Sequence, residues 1–288
     1  MLGKRPSPEE EKLLKLVNSL LICASKTISP CFSKYFGITP VWEFRQSGSL
    51  SYQYVYMGVT RGEDKCYIEV NEQVFKKGLS YFHKGLGERI YFSAHFLHAA
   101  IHEFIHVIQP PEAGDNYKKW REGTAHLLSW LILCKLYKDA DQEFFFWLLR
   151  KNPQDVLVAM KNKKLKLGLE RVIAVYNYYF SLAFRQENKE FKIPEFLPRS
   201  IKKLIHNIIK DGRPPFQHGL SADTLNALYE QKKVGEQEQL LRWDLREIAR
   251  GIIVAEHLLV AGNVSAKDLI GKPLDDKTID SLFEQIYS

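Results

Sequence analysis

The chain has 288 residues, 45% of them hydrophobic and 26% charged, with a net charge of +7. This balance excludes a disordered or coiled-coil chain over most of the length and suits one catalytic core with a large companion. No apolar run approaches the ~18 to 20 residues needed to span a bilayer, since the longest, Leu127 to Leu133, is interrupted by Ser129.

Along the chain, Lys4-Arg5 imitates the start of a secretory signal, but Pro6, Pro8 and Glu9-Glu10-Glu11 stand where its apolar stretch belongs. A cytoplasmic protein is expected. Ser7, Pro8 and Glu10 form a capping box for a first helix, whose stripe is Leu13, Leu14, Val17, Leu20 and Leu21. Three strand-like runs follow: Val41 to Phe44, Ser49 to Val59 and Lys65 to Val74. Turn residues at Gly48 and 61–64 predict an antiparallel meander. The period then changes, and 89–109 reads as a helix stopped by Pro110-Pro111. A short loop leads to a second helix from about Asn116 to Tyr137. Beyond residue 140 only helical patterns occur: 142–150, 154–160, 167–185, 199–210, 221–229, 236–260, 265–270 and 277–287. Ser221 and Ser265 look like caps. The expected class is α+β, a small antiparallel sheet and a central helix pair followed by an all-α C-terminal half, with a boundary near residue 151.

Cys23, Cys31, Cys66 and Cys134 lie far apart with no CxxC spacing, as fits reduced thiols rather than a disulfide frame or a cysteine zinc site. The pI near 9.0 permits weak attraction to nucleic acid or anionic membranes without requiring either.

One motif carries chemistry: His102-Glu103-Phe104-Ile105-His106, an HExxH. Histidines at i and i+4 project from one helix face, so both imidazoles can reach one metal. Glu103, rotated about 100° from His102, flanks that metal and can take a proton from water held there. Placed among Phe104, Ile105, Val107 and Ile108, two histidines and a glutamate would be costly without a partner.

Catalytic zinc keeps three protein ligands and one open position. Glu122, in Trp120-Arg121-Glu122-Gly123-Thr124-Ala125-His126, lies on the helix after the Pro-Pro turn, on a face shared with Ala125, His126 and Ser129. An antiparallel return of that helix would point Glu122 at the histidines. Glu112 has the alternative third-ligand spacing of the metzincins, though Gln109 stands where that pattern needs glycine. His126 can orient Glu122 or ligate directly, and His95 and His98 extend the histidine ladder as side chains that line the cleft or bond backbone carbonyls.

Over about residues 50 to 135, HEFIH with REGTAH resembles the gluzincin clan of zinc metallopeptidases, which includes thermolysin, zinc aminopeptidases and the minigluzincins. The resemblance implies a zincin-like core, assigned to 1–150, while the helical patterning beyond it gives an α-helical domain in 151–288. It also implies zinc held by His102, His106 and Glu122, Glu103 as catalytic base, and hydrolysis of a peptide or protein substrate. It departs from thermolysin-like members at His126, where a carboxylate often stands. The clan's edge strand, which binds extended peptide, would correspond to Lys65 to Asn71, whose equal alternative is a plain sheet strand.

An oxyanion donor besides zinc is expected among Tyr176, Tyr178, Tyr179, His206 and His218. The basic stretches 161–166 and 199–213 read as solvated faces, with nucleic-acid contact the lesser reading. No Walker loop, GxGxxG, GxSxG elbow or zinc-finger spacing occurs. The alternatives to a peptidase are a metal-binding regulatory or interaction protein on the same fold, and a protease tethered to nucleic acid.

Overall fold

The computed structural model describes residues 42–47, 57–62, 65–71, 86–111, 115–138, 164–185, 189–211 and 236–288. Among them the class is α+β, short strands preceding a succession of helices. The helices expected near Ser7 and over 142–150, 154–160 and 221–229 lie outside the described residues, as do Cys23 and Cys31. The chain divides into two compact units, Met1–Val107 with Ala140–Leu165 and Ile108–Asp139 with Lys166–Ser288.

In the first unit, β1 (Trp42–Ser47), β2 (Met57–Arg61) and β3 (Cys66–Asn71) form one sheet of order β1-β3-β2. β2 and β3 pair antiparallel through a tight turn in which Gly62 N–H donates to the Lys65 carbonyl at 2.9 Å. A side chain at residue 62 would meet the Tyr67 ring at 2.8 Å and displace it, so glycine suits the position. β1 pairs parallel with the other edge of β3, which corrects the meander. The register gives the reason. Ser47 ends β1 opposite Asn71, and Met57 opens β2 opposite Val70, so both stand at one end of β3. Because β1 and β2 run oppositely, one on each side of β3, no helical crossover is needed between them. Ile68 and Val70 are buried while Tyr67 and Glu69 are partly exposed, the period of two of a half-buried strand.

Helix α1 (Leu86–Ile108) ends before Pro110-Pro111, which cannot continue its hydrogen-bond ladder. From Leu97 to Ile105 every side chain is buried. A helix enclosed on all sides ordinarily carries apolar residues throughout. This one buries His98, His102 and Glu103.

The second unit is helical among its described residues. A 3₁₀ turn (Asp115–Tyr117) precedes α2 (Lys118–Lys138), followed by α3 (Lys164–Arg185), α4 (Arg199–Asp211), α5 (Glu236–Val260), α6 (Ala266–Gly271) and α7 (Asp276–Tyr287). Trp120, Trp130, Phe180, Phe184 and Phe283 are its largest fully buried side chains. Ser265 caps α6 by accepting from Asp268 N–H, and Asp275 caps α7 by accepting from Thr278 N–H. On α4, Ile201, Ile205 and Ile208 are buried while Lys203, His206, Asn207 and Lys210 are exposed. α2 and α5 cross with backbones touching at Gly123 and Gly251. A Cβ on Gly123 would lie 2.5 Å from Gly251 Cα.

Among the described residues no helix is long and apolar enough to cross a membrane. Cys66 and Cys134 are free thiols. Burial, helped by the Glu170 carboxylate, pushes the Cys134 thiol up to about 12, which keeps it protonated at neutral pH.

Candidate metal centre

Helical spacing on α1 brings the HExxH histidines together. The Nε2 atoms of His102 and His106 lie 2.9 Å apart, with the rings nearly perpendicular at 86°. Two imidazole lone pairs facing at that distance repel unless a proton or a cation lies between them. Tetrahedral zinc with Zn–N bonds of about 2.05 Å sets its nitrogens about 3.3 Å apart, close to the separation present. Ligand atoms of His102, Glu103 and His106 all fall within 4.8 Å of one another, and Glu103 is 8% exposed. The donor set therefore fits a divalent transition metal. His98 is buried one turn earlier, its ring 6.4 Å from that of His102. The side chain of His95 lies outside the described residues.

Two side chains that the sequence reading passed over organise the end of α1. The His106 carbonyl would ordinarily accept from the amide of residue 110, but Pro110 has none. Arg61, the last residue of β2, supplies the donor: its Nη2 donates to that carbonyl at 2.8 Å. Gln109 is 1% exposed, and its Nε2 donates to the Arg121 carbonyl at 2.9 Å and to Thr124 Oγ1 at 2.7 Å. The residue three positions after His106 is thus tied to both sides of Glu122. The only signal in the sequence was a polar residue squeezed between an apolar helix and Pro-Pro.

Glu122 occupies the second turn of α2, its side chain 19% exposed and its Oε1 3.4 Å from Arg121 Nε. His126, one turn on, is buried among the rings of Trp130, Tyr176 and Phe180, with centroids at 6.0, 5.2 and 5.7 Å. Among the candidate oxyanion donors, Tyr176 is therefore the one beside His126. Tyr178 and Tyr179 are buried against each other, and burial raises the Tyr179 hydroxyl pKa. His206 is exposed on α4 with Nδ1 2.7 Å from the Lys202 carbonyl. His218 and Glu112 lie outside the described residues.

Comparison with protein-family models, curated proteins and solved structures returns no match.

The strand expected to receive a substrate must be corrected. β3 is the central strand, hydrogen-bonded on both sides, and has no edge to offer. Among the described strands β2 has an unpaired side, and Arg61 ties β2 to the last turn of the histidine helix.

Proposed function

We propose that the protein is a zinc-dependent peptidase of gluzincin type, in which His102, His106 and Glu122 hold the metal and Glu103 is the general base. The observation that carries the proposal is the pair of facing Nε2 atoms, 2.9 Å apart, in a helix stretch that also buries Glu103. A cation shared by the two imidazoles would offset part of the cost of placing ionisable groups in and beside so enclosed a stretch. The bracketing of Glu122 by Gln109, three residues after His106, supports Glu122 as third ligand. Zinc in such a set supplies Lewis acidity toward a scissile carbonyl and lowers the pKa of water to about 7. Glu103 removes the proton of the attacking water and returns it to the leaving amine. Tyr176, beside His126, is the favoured hydroxyl donor to the developing oxyanion. An extended peptide would add to the unpaired side of β2.

The test is Glu103→Gln, which keeps size and hydrogen-bonding shape but removes the proton acceptor. Cleavage of a mixed peptide library should fall by at least ~10²-fold at matched zinc content. Cleavage unchanged at matched zinc rejects Glu103 as the base. A wild-type protein that loads zinc and cleaves nothing favours a metal-binding protein without turnover.

A further inference from the structure

We infer that the C-terminal helices set the metal affinity of the proposed centre, because they clamp the turn of α2 that carries Glu122 through an ion cluster built on Lys119. The inference rests on Glu122 being a ligand, as proposed above.

Lys119 is 6% exposed. A buried ammonium is tolerated only when fully partnered, and each partner comes from the C-terminal helices. Its Nζ meets Glu247 of α5 at 2.7 Å and Asp280 of α7. The other oxygen of Asp280 accepts from Arg250 Nη1 at 3.1 Å, and the Arg250 guanidinium lies 5.1 Å from the centre of the Phe283 ring. Two cations and two carboxylates thus neutralise one another. A third carboxylate, Asp276 at the start of α7, accepts the backbone N–H of Lys119 at 2.9 Å. That amide belongs to the first turn of α2 and has no partner within its own helix, so α7 acts as the cap of α2. Burial raises the Asp276 pKa, opposed by the bond from the Lys119 amide and the Lys119 charge.

Two further contacts complete the clamp. The Trp120 indole N–H donates to the Leu269 carbonyl of α6 at 3.1 Å. Gly251 of α5 lies so close that a Cβ there would be 3.1 Å from Gly123 Cα and well inside the Lys119 carbonyl oxygen. Residues 119, 120 and 123 fall on one face of α2 and are all held from the C-terminal side. Glu122 lies off that face, one residue before the glycine crossing.

The choice of charges indicates what the clamp is for. Replacing a buried ion pair such as Lys119 and Glu247 with apolar side chains of similar volume is often neutral or stabilising, so stability alone gives little reason to keep one. Point-to-point ionic bonds do fix the rotation of a helix about its axis and its shift along it. Those two variables place a ligand carboxylate, which must be held to about half an ångström. Lys119, Glu247 and Asp280 are therefore positioning residues for Glu122.

The test measures zinc affinity of the full chain by chelator competition, with far-UV circular dichroism as the check on folding. Asp280→Asn and Glu247→Gln should each weaken zinc binding about 10- to 100-fold, the usual effect of removing a residue that supports a ligand. Lys189→Gln is the control: Lys189 bonds Glu284 of α7 at 2.8 Å and lies over Phe283 and Tyr287, so it loosens α7 without touching Lys119. It should lower Tm and leave zinc affinity alone. In Glu122→Ala/Asp280→Asn the effect of Asp280 should vanish, because the group it positions is gone. Should Asp280→Asn fail to fold, Lys119→Arg, which keeps the charge and moves the donors, decides the same point. Unchanged affinity in the folded clamp variants, or full additivity in the double variant, overturns the inference while leaving the metal ligands standing. Unchanged affinity in Glu122→Ala overturns the third-ligand reading and the clamp's role with it.

Discussion

Gln109 makes two hydrogen bonds from a fully enclosed position, one to the Arg121 carbonyl and one to the Thr124 hydroxyl, on either side of Glu122. Gln109→Leu keeps the volume and removes both donors, leaving Thr124 bonded only within its own helix, to the Trp120 and Arg121 carbonyls. Zinc affinity measured by chelator competition should drop about 10-fold or more, with little change in helix content. The HExxH set was legible in the sequence because its geometry is local: four residues on a helix fix two imidazoles on one face whatever the rest of the chain does. That Glu122 sits on the next helix was legible one step further, through the Pro-Pro stop and the restart of helical spacing. Gln109 and Arg61 were not. The Arg61 bond exists because Pro110 leaves the His106 carbonyl without a donor, and nothing near residue 61 announces a vacancy 45 residues away. Tyr176 was one of five equivalent candidates in the sequence, and it is packing that places its ring beside His126.

Helix limits follow local punctuation, and most of them were readable. Pro110-Pro111 closes α1 at Ile108, Ser265 opens α6, and 199–210 and 236–260 match α4 and α5 almost residue for residue. The sheet was readable only as strands. Alternation and turns mark β2 and β3 as a hairpin, but the placing of β1 on the far side of β3 depends on pairing across the chain, which no local pattern encodes. The crossing of α2 and α5 escaped for the same reason. Gly251 reads as a weak point in a helix, costing roughly 1 kcal/mol against alanine. At the crossing it is obligatory, because its neighbour is the Lys119 backbone rather than a side chain that can swing away. Gly251→Ala should therefore destabilise by about 3 kcal/mol or more, against the usual gain from alanine in a helix. Chemical denaturation monitored by Trp fluorescence checks the sign, and a stabilised variant would mean that the helices do not touch there.

The proposed ligands, His102 and His106 with Glu122 about twenty residues further along the chain, would make metal binding part of folding, since the unfolded chain presents no such set. One zinc per chain should therefore raise the melting temperature. At a free zinc concentration 100-fold above Kd the linkage is about 2.7 kcal/mol, which for a chain of this size corresponds to roughly 5 to 10 °C. The increment has a definite dependence on pH. Zinc and protons compete for the same imidazole nitrogens, so metal binding releases protons and the zinc-bound state gains on the metal-free state as pH rises. Lowering the pH from 7.5 to 5 should thus shrink the difference in Tm between zinc-loaded and chelator-treated protein toward zero. The α7 cap has the same sign but a lower pH window. Accepting from the Thr278 amide depresses the Asp275 pKa, so its contribution is complete above the ordinary aspartate range and is lost only as pH falls through the depressed value. Paired melts across this range separate the two effects: His102→Ala should abolish the zinc-dependent difference at every pH while leaving the acid limb of the metal-free curve in place. A zinc-dependent difference of the same size in His102→Ala would place the metal on other ligands, because the HExxH pair cannot hold a single ion with one imidazole removed and lose nothing.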